Sequence, residues 1–399
     1  RRRGHDVALF ERSRLLGGKA TSYVVGGTEV DNGQHVYLGC CTAFIDFVAG
    51  LGLADRLRLQ ERFEVLMLKR GAAPCRLRAA GFPAPLHLLP ALLGHRYLGA
   101  AGRLQVAWAI ARSRLPAAPG ETCAHWLARL GQGERARRYF WDPFLVPALN
   151  APLEQVAAED GRFVIATAFA GDRTAACIGL ATVPLARIAE AAAARAGEVH
   201  LRTAVTGLLA EDGRARGVRL ADGREVAADA VVLAVPPRAL ARLLGEPARY
   251  GLGGVEDFRA EPIVDVHLWY DRDDFGFDFA ALLDSPVQWV FRKAPGYLCG
   301  SLSAAGALVG RPEGELVALC DEELRATLPA LAGARLVRGA ATRDPEATFV
   351  PTPGLRRPGP ATAYPNLAVA GAWTATGWPA TMESAVRSGQ AAAAVVASC

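Results

Sequence analysis

The stretch from Asn366 to Ala394, NLAVAGAWTATGWPATMESAVRSGQAAAA, restricts the fold more than any other part of the chain. It opens with an apolar run, Leu367 to Ala370, that fits a short buried strand. A loop rich in Gly, Thr and Trp follows. Thr381 is then placed to cap a helix, with Glu383 in its first turn. Met382, Ala385, Val386, Gly389, Ala392, Ala393 and Val396 recur close to a 3, 4, 3 spacing, which predicts one inward-packed face. A strand, a glycine turn and a helix N-terminus together make a site for an anion or for a ring carbonyl that seeks a positive dipole. An ordinary strand–loop–helix exit has the same outline. Trp373, Trp378 and the Thr381-Met382-Glu383 cluster are what such an exit does not need.

The opposite end carries a second fragment of the same logic. His5 to Glu11 is HDVALFE, and Val7 to Phe10 is a continuous apolar run, as a parallel strand covered on both faces requires. Arg1 to Arg3 followed by Gly4 has the pattern of a glycine-capped helix end. A strand that ends in a carboxylate after a helix is the second half of a dinucleotide-binding unit, where the carboxylate accepts from ribose hydroxyls. Glu11 is that residue. A lone strand-terminal Glu is more often a solvated strand end, but Arg12, Gly17, Gly18 and Lys19 follow it. Two glycines let the backbone approach a phosphate, and Lys19 supplies a charge. The first strand and its G-x-G-x-x-G turn are expected upstream of Arg1, so the chain is expected to be an N-terminally truncated form of a longer protein. The internal match Gly131 to Ala136 follows a helical stretch rather than a strand and fails the context that the motif needs. Asp31-Asn32-Gly33-Gln34-His35 is turn chemistry, and on its own is a polar loop.

Between these ends the periodicity changes twice. Phe82 to Arg114 is apolar and broken by Pro83, Pro85 and Pro90, and fits a core helix pair. Leu88, Leu89, Leu92 and Leu93, with Arg96, Arg103 and Arg112 outside, also fit a surface that dips into a membrane. Helices are expected over Glu121–Leu130 and Glu134–Asn150, and the helical part ends near Ile188. Strands are expected over 200–209, 215–220 and 225–226, joined by Asp212-Gly213 and Asp222-Gly223 turns. Asp229 to Val235 is another buried strand, closed by Pro236-Pro237. Strands of a second sheet are expected over 262–271, 287–292 and 297–303, and Thr348 to Pro353 leads back to the final motif.

A chain of 399 residues exceeds one hydrophobic core and predicts about two domains. The net charge of +5 is scattered rather than striped, which excludes a nucleic-acid partner and leaves a mild attraction to anionic lipid. No run of 18 apolar residues is present, so no membrane-spanning helix is expected. The eight cysteines include no C-x-x-C and no zinc spacing, so a metal site is unsupported and buried thiols in a reducing compartment are expected.

The C-terminal stretch resembles the flavin-binding motif of the amine oxidase and phytoene desaturase superfamily. Within it, WTATGWPATMESAVRSG, together with DNGQH at 31–35 and FWDPFLVPALNAP at 140–152, is similar to the hydroxysqualene dehydroxylases. The resemblance implies an α/β fold, with a discontinuous Rossmann-like FAD-binding domain and an inserted substrate domain of mixed sheet plus helices. The FAD-binding parts are expected at 1–70, 196–245 and 360–399. A mainly helical, membrane-facing part is expected at 71–195, and the substrate-domain sheet at 246–359.

It implies FAD as cofactor, held by Glu11, Arg12, Gly17, Gly18, Lys19, Gly33, Val205, Gly371, Ala372, Trp373, Thr381 and Met382, with Val205 offering its backbone to the adenine. Where the family has Gly-Asp-Trp, this chain has Gly371-Ala372-Trp373 and lacks that carboxylate. Gly33, Gln34 and His35 are implied to lie near the isoalloxazine ring. His35 or Asp31 would supply a proton directly or through water, with Gln34 beside them. The implied reaction is reductive removal of the hydroxyl of hydroxysqualene to give squalene, within squalene and hopanoid biosynthesis. The implied partners are a lipophilic substrate, a peripheral membrane surface and squalene-pathway synthases, with the protein cytoplasmic on the inner face of the membrane. A carotenoid or phytoene desaturase, a flavin amine oxidase and a non-catalytic lipid- or flavin-binding homologue remain open at this point.

Overall fold

The computed structural model describes residues 4–397. The helix end expected at Arg1 to Arg3 lies outside them. The apolar run near the amino end forms a strand, Ala8–Phe10, which pairs in parallel with Glu198–His200. A second parallel pair joins Val231–Leu233 to Leu367–Val369. Leu367, Ala368 and Val369 are fully buried, which is why this segment has no alternation. The helix Met382–Val396 packs on it through small residues, Ala392 meeting Ala368 and Ala370. Thr381 caps that helix by accepting from the Ser384 N–H at 3.3 Å. Glu383 serves a different helix. Buried, it accepts from the N–H groups of Ala43 (3.2 Å) and Phe44 (2.7 Å) at the start of Thr42–Gly50, and from Arg387.

The meander runs Val205–Glu211, Arg214–Leu220 and Glu225–Ala227, all antiparallel. Asp212 (φ 48°) and Gly213 (φ 69°) both adopt left-handed backbone, the geometry a tight hairpin with right-handed twist demands. One strand was expected over 200–209. The structure divides it, because His200 belongs to the parallel pair and Arg202 turns the chain with φ 53°.

The inserted part is built on a seven-stranded mixed sheet. Its order is Leu336–Phe349, Ala260–Tyr270, Tyr297–Leu302, Trp289–Ala294, Phe279–Leu283, Glu64–Lys69, Cys75–Arg78. Val264, Val266 and Leu268 point to one face and are covered by Leu316, Cys320 and Leu324 of the helix Glu313–Thr327. The other face carries Tyr297 and Cys299 against the hairpin Ser22–Val25 and Thr28–Asp31. Helices Ala100–Arg112, Cys123–Arg129, Asp142–Leu149 and Ala158–Val164 enclose a separate core around Trp126, Trp141, Leu145 and Phe169. Pro147 is tolerated inside one helix and Asn150 closes it in left-handed conformation (φ 48°). The fold is α/β, with a discontinuous Rossmann-like domain and an inserted domain of mixed sheet plus helices. No helix among the described residues is long and apolar enough to cross a membrane.

Candidate functional site

Among the described residues the largest of the cavities found is a continuous, partly open space of about 2440 Å³. Part of it is a slot between the two parallel strand pairs, and the rest extends to an aromatic pocket under the helices.

The end of the cavity beside the strand Ala8–Phe10 is set by backbone geometry. Glu11 follows the strand Ala8–Phe10, faces the cavity, and accepts from the Ser13 N–H at 2.7 Å. Gly17 has φ +101°, and a Cβ there would lie 2.2 Å from the Ala20 carbonyl oxygen, so only glycine fits the turn. Arg12, Gly18 and Lys19 line the same wall, and Lys19 also reaches Asp344 at 2.8 Å. Val205 lines it from the meander.

The C-terminal loop supplies the opposite wall through Gly371, Ala372, Trp373, Trp378, Thr381 and Met382. Its shape depends on Arg357. This largely buried guanidinium donates to the carbonyls of Ala372 (2.9 Å), Trp373 (3.2 Å), Trp378 (2.6 Å) and Thr374. Asp160 supplies the nearby countercharge, and burial pushes its own pKa up to about 6. Trp373 is fixed by donating to the Val235 carbonyl at 3.0 Å.

The loop 31–35 lies between these walls and the large sheet. Gly33, Gln34 and His35 line the cavity. Asp31 does not appear in its lining. Its carboxylate accepts from the Ser22 hydroxyl (2.7 Å), the Leu185 N–H (3.0 Å) and Lys293 (3.2 Å). Lys293 also donates to the Gln34 side-chain oxygen at 3.0 Å. His35 Nδ1 lies 2.9 Å from the Gly33 carbonyl oxygen. A carbonyl only accepts, so Nδ1 carries the hydrogen and Nε2 holds a lone pair. Burial holds the ring below the ordinary histidine range, so the neutral form is favoured.

Sequence reasoning passed over Arg357, Lys293 and Asp265. Asp265 is 1% exposed and accepts from the Gln34 N–H at 3.1 Å. A signal for it existed. Alternation along PIVDVHLWYD puts Ile263, Asp265, His267 and Trp269 on the face opposite Val264, Val266 and Leu268. Arg357, in a Pro- and Gly-rich connection, gave none.

The far end of the cavity is apolar. Phe144, Phe163 and Phe169 come from the helical part, and Trp289 and Phe291 from the sheet. The Phe144 ring centroid is 5.4 Å from Phe169 and 6.0 Å from Trp289. The lining residues drawn from 142–149, 158–169 and 289–294 include none with a charge. Among the described residues no group of three or more His, Cys, Asp and Glu is arranged to hold a metal.

Comparison with known proteins agrees with this geometry. The family model for flavin-containing amine oxidoreductases matches residues 1–397. The chain is 31% identical to a hydroxysqualene dehydroxylase of Rhodopseudomonas palustris, over 99% of this chain and 93% of that one. It is 23% identical to a 15-cis-phytoene desaturase of Solanum lycopersicum, over 98% of this chain and 74% of that one. Wild-type putrescine oxidase bound to putrescine superposes with a TM-score of 0.74 at 18% identity, covering 100% of this chain and 95% of that one, which shows the shared fold.

Proposed function

The chain belongs to the flavin-containing amine oxidoreductase family, whose implied cofactor is FAD, and on that premise we propose that it removes the hydroxyl of hydroxysqualene reductively to give squalene. The residues present fit the cofactor. The cramped glycine turn at Gly17 and the carboxylate of Glu11 suit a ribose and pyrophosphate, and Gly371 to Trp373 with the Thr381 helix start suit the flavin half. When bound and reduced, the flavin supplies hydride to a substrate carbon. The chain's own residues then hold that carbon at the ring, exclude water and provide a proton for the departing hydroxyl.

The observation that carries the substrate class is the aromatic end of the cavity, which has no carboxylate to pair with an ammonium and presents a large apolar wall for a hydrocarbon. The relative from Rhodopseudomonas palustris supports the specific substrate. So apolar a substrate would arrive from a lipid surface. Phe82, Leu86, Leu89, Leu93 and Trp108 are exposed on the helical part, whereas Leu88, Leu92, Val106 and Ile110 face inward onto the core shared with Phe63, Phe144 and Phe169.

The test is anaerobic reduction of the FAD-loaded protein followed by hydroxysqualene, with squalene sought by mass spectrometry. Squalene formed only with reduced flavin supports the reading. A second reading, oxidative desaturation of a carotenoid precursor, draws on the tomato relative. Bound flavin that turns over phytoene under oxidising conditions, with no squalene formed, would replace the first reading by the second. A protein that binds no flavin would be the non-catalytic homologue.

A further inference from the structure

The cavity-side face of the seven-stranded sheet carries a polar row. Register sets Thr342, Asp265 and Ser301 side by side on adjacent strands, with Trp289 next to Ser301. Directly opposed residues of antiparallel strands share a face. Ser301 and Trp289 line the cavity, whereas Asp265 lies behind them. The Asp265 carboxyl takes the Gln34 N–H at 3.1 Å and the Cys299 S–H at 3.9 Å, and Ser301 stands directly opposite it on the neighbouring strand, on the same face. It therefore touches the loop 33–35 on one side and, on the other, is paired across the strands with Ser301, whose side chain lines the cavity.

A departing hydroxyl needs a proton, and the two residues that sequence reasoning offered are otherwise engaged. His35 donates its Nδ1–H to the Gly33 carbonyl, and burial disfavours a second proton on its ring. Asp31 is committed to Ser22, Leu185 and Lys293. We infer that Asp265 is the proton source of the site and that Ser301 passes the proton into the cavity. This rests on the dehydroxylation proposed above. The Ser301 O–H proton moves to the substrate oxygen as the carbon–oxygen bond breaks, and water leaves. The Asp265 proton moves to the Ser301 oxygen, and the carbon takes two electrons as hydride from the reduced flavin. The sum is an alcohol plus one proton and one hydride giving an alkene-bearing hydrocarbon and water.

The surroundings favour a carboxyl that holds its proton. Burial raises the Asp265 pKa to about 6, against the lowering by the Gln34 N–H, Ser301 and Lys293, and Asp31 adds to the rise. The other titratable groups around it are Cys299, Cys320, Tyr23, Tyr297 and His267. Cys299, Cys320, Tyr23 and Tyr297 are all pushed toward their neutral forms by burial, and so is His267.

The experiment is single turnover of pre-reduced, FAD-loaded protein with hydroxysqualene from pH 5 to 8.5, paired with infrared titration of carboxyl bands in the substrate-free protein. The wild-type rate should fall as pH rises above about 6. Asp265→Asn retains the acceptor for Gln34 but has no proton to give, so it should lose on the order of 100-fold in rate and the pH limb with it. Ser301→Ala should lose rate similarly while keeping the carboxyl band that Asp265→Asn abolishes. A merely structural role for Asp265 would not move the pH limb. Asp265→Asn with the wild-type rate and limb, or a wild-type protein without a carboxyl titrating near that pH, overturns the proton role alone. Wild-type protein that makes no squalene overturns it together with the dehydroxylase reading.

Discussion

The Arg357 guanidinium lies 2.9 Å from the carbonyl oxygen of Ala372, at the position where the resembling family carries a carboxylate. That same guanidinium gathers the carbonyls of Trp373, Thr374 and Trp378, so the loop walling the cavity is shaped by one cation and several backbone acceptors. Arg357→Ala leaves those acceptors without their partner in a largely buried place. It should cost about 3 kcal/mol of unfolding free energy, read by urea denaturation of the FAD-free protein. Arg357→Lys, with one point charge in place of a planar fork, should recover only part of this. An Arg357→Ala protein of wild-type stability would show that the loop holds its shape without the cation.

Ala372 itself faces the cavity beside that held carbonyl. Ala372→Asp adds an acceptor for a ribityl hydroxyl or for Arg357, without moving the backbone that Arg357 fixes. One charge-assisted hydrogen bond is worth about 1.5 kcal/mol, so FAD affinity should rise roughly 10-fold, measured by quenching of flavin fluorescence. Unchanged or weaker affinity would mean that the new carboxylate is spent on Arg357.

Glu383 offers a test of the helix Thr42–Gly50. Its carboxylate, 1% exposed, meets the N–H groups of Ala43 and Phe44, where the helix dipole favours negative charge. Glu383→Gln keeps one acceptor and loses the charge. It should destabilise the protein by about 1–2 kcal/mol and expose Cys41, at the same helix start, to thiol reagents sooner. Thermal unfolding and thiol labelling rates check both.

What the sequence made legible and what it hid follow from where each interaction is made. The run at Leu367 to Ala370 could be identified because a strand buried on both faces is uniformly apolar, whereas the run at Val7 to Phe10 forms the expected parallel strand but is not covered on both faces, Val7 and Ala8 being exposed. The hairpin turn at Asp212-Gly213 could be identified because its left-handed backbone needs those residues. Phe279–Leu283 and Glu64–Lys69 were passed over. Each is a short apolar run that helix and strand periodicity fit equally, and they meet only through pairing across more than half the chain. Leu336–Phe349 hid for another reason. It is an edge strand, so it carries Arg338, Arg343, Glu346 and even Pro345, residues that a central strand does not accept. In the site, glycines that local geometry demands could be identified, whereas Arg357, Lys293 and Asp265 act only on segments distant in sequence. Asp31 shows the converse. It has the right chemistry and local context for an acid, but is drawn off by a helix start at Leu185 and by Lys293.

Buried histidines should make the protein acid-sensitive. His95 donates from Nε2 to the Tyr139 carbonyl at 3.0 Å, and burial lowers its pKa to about 4. An unfolded histidine takes its proton near pH 6.5, so the folded form is stabilised above that pH and loses this contribution as pH falls from about 6.5 toward 4. Asp265 acts in the opposite sense, because its raised pKa removes stability as pH rises from about 4 to 6. His95→Gln, which keeps a donor for Tyr139 and cannot ionise, should flatten the acid-side decline by about 2 kcal/mol. Urea unfolding at pH 4.5 and 7 measures the difference, and an unchanged slope would assign the decline elsewhere.

The helical part should hold the protein on anionic bilayers. Leu88 and Leu92 are buried, whereas Leu86, Leu89 and Leu93 are exposed, so successive leucines separate by face and the outer set is free to enter lipid. Arg96, Arg112 and Arg114 are exposed around that set, and Arg112 stacks over Trp108 at 4.0 Å. Burying a leucine side chain contributes about 1.5–3 kcal/mol, and each arginine near an anionic surface about 1 kcal/mol. Leu86→Glu with Leu93→Glu should therefore lower sedimentation with phosphatidylglycerol-containing vesicles by at least roughly 10-fold, leaving unfolding free energy unchanged because both positions are already solvated. Arg96→Gln with Arg114→Gln should weaken binding less and abolish most of its salt dependence. If the glutamate pair bound vesicles as the wild type does, the exposed leucines would have no part in lipid contact, and the route by which a hydrocarbon reaches Phe144 and Phe169 would have to lie on another face.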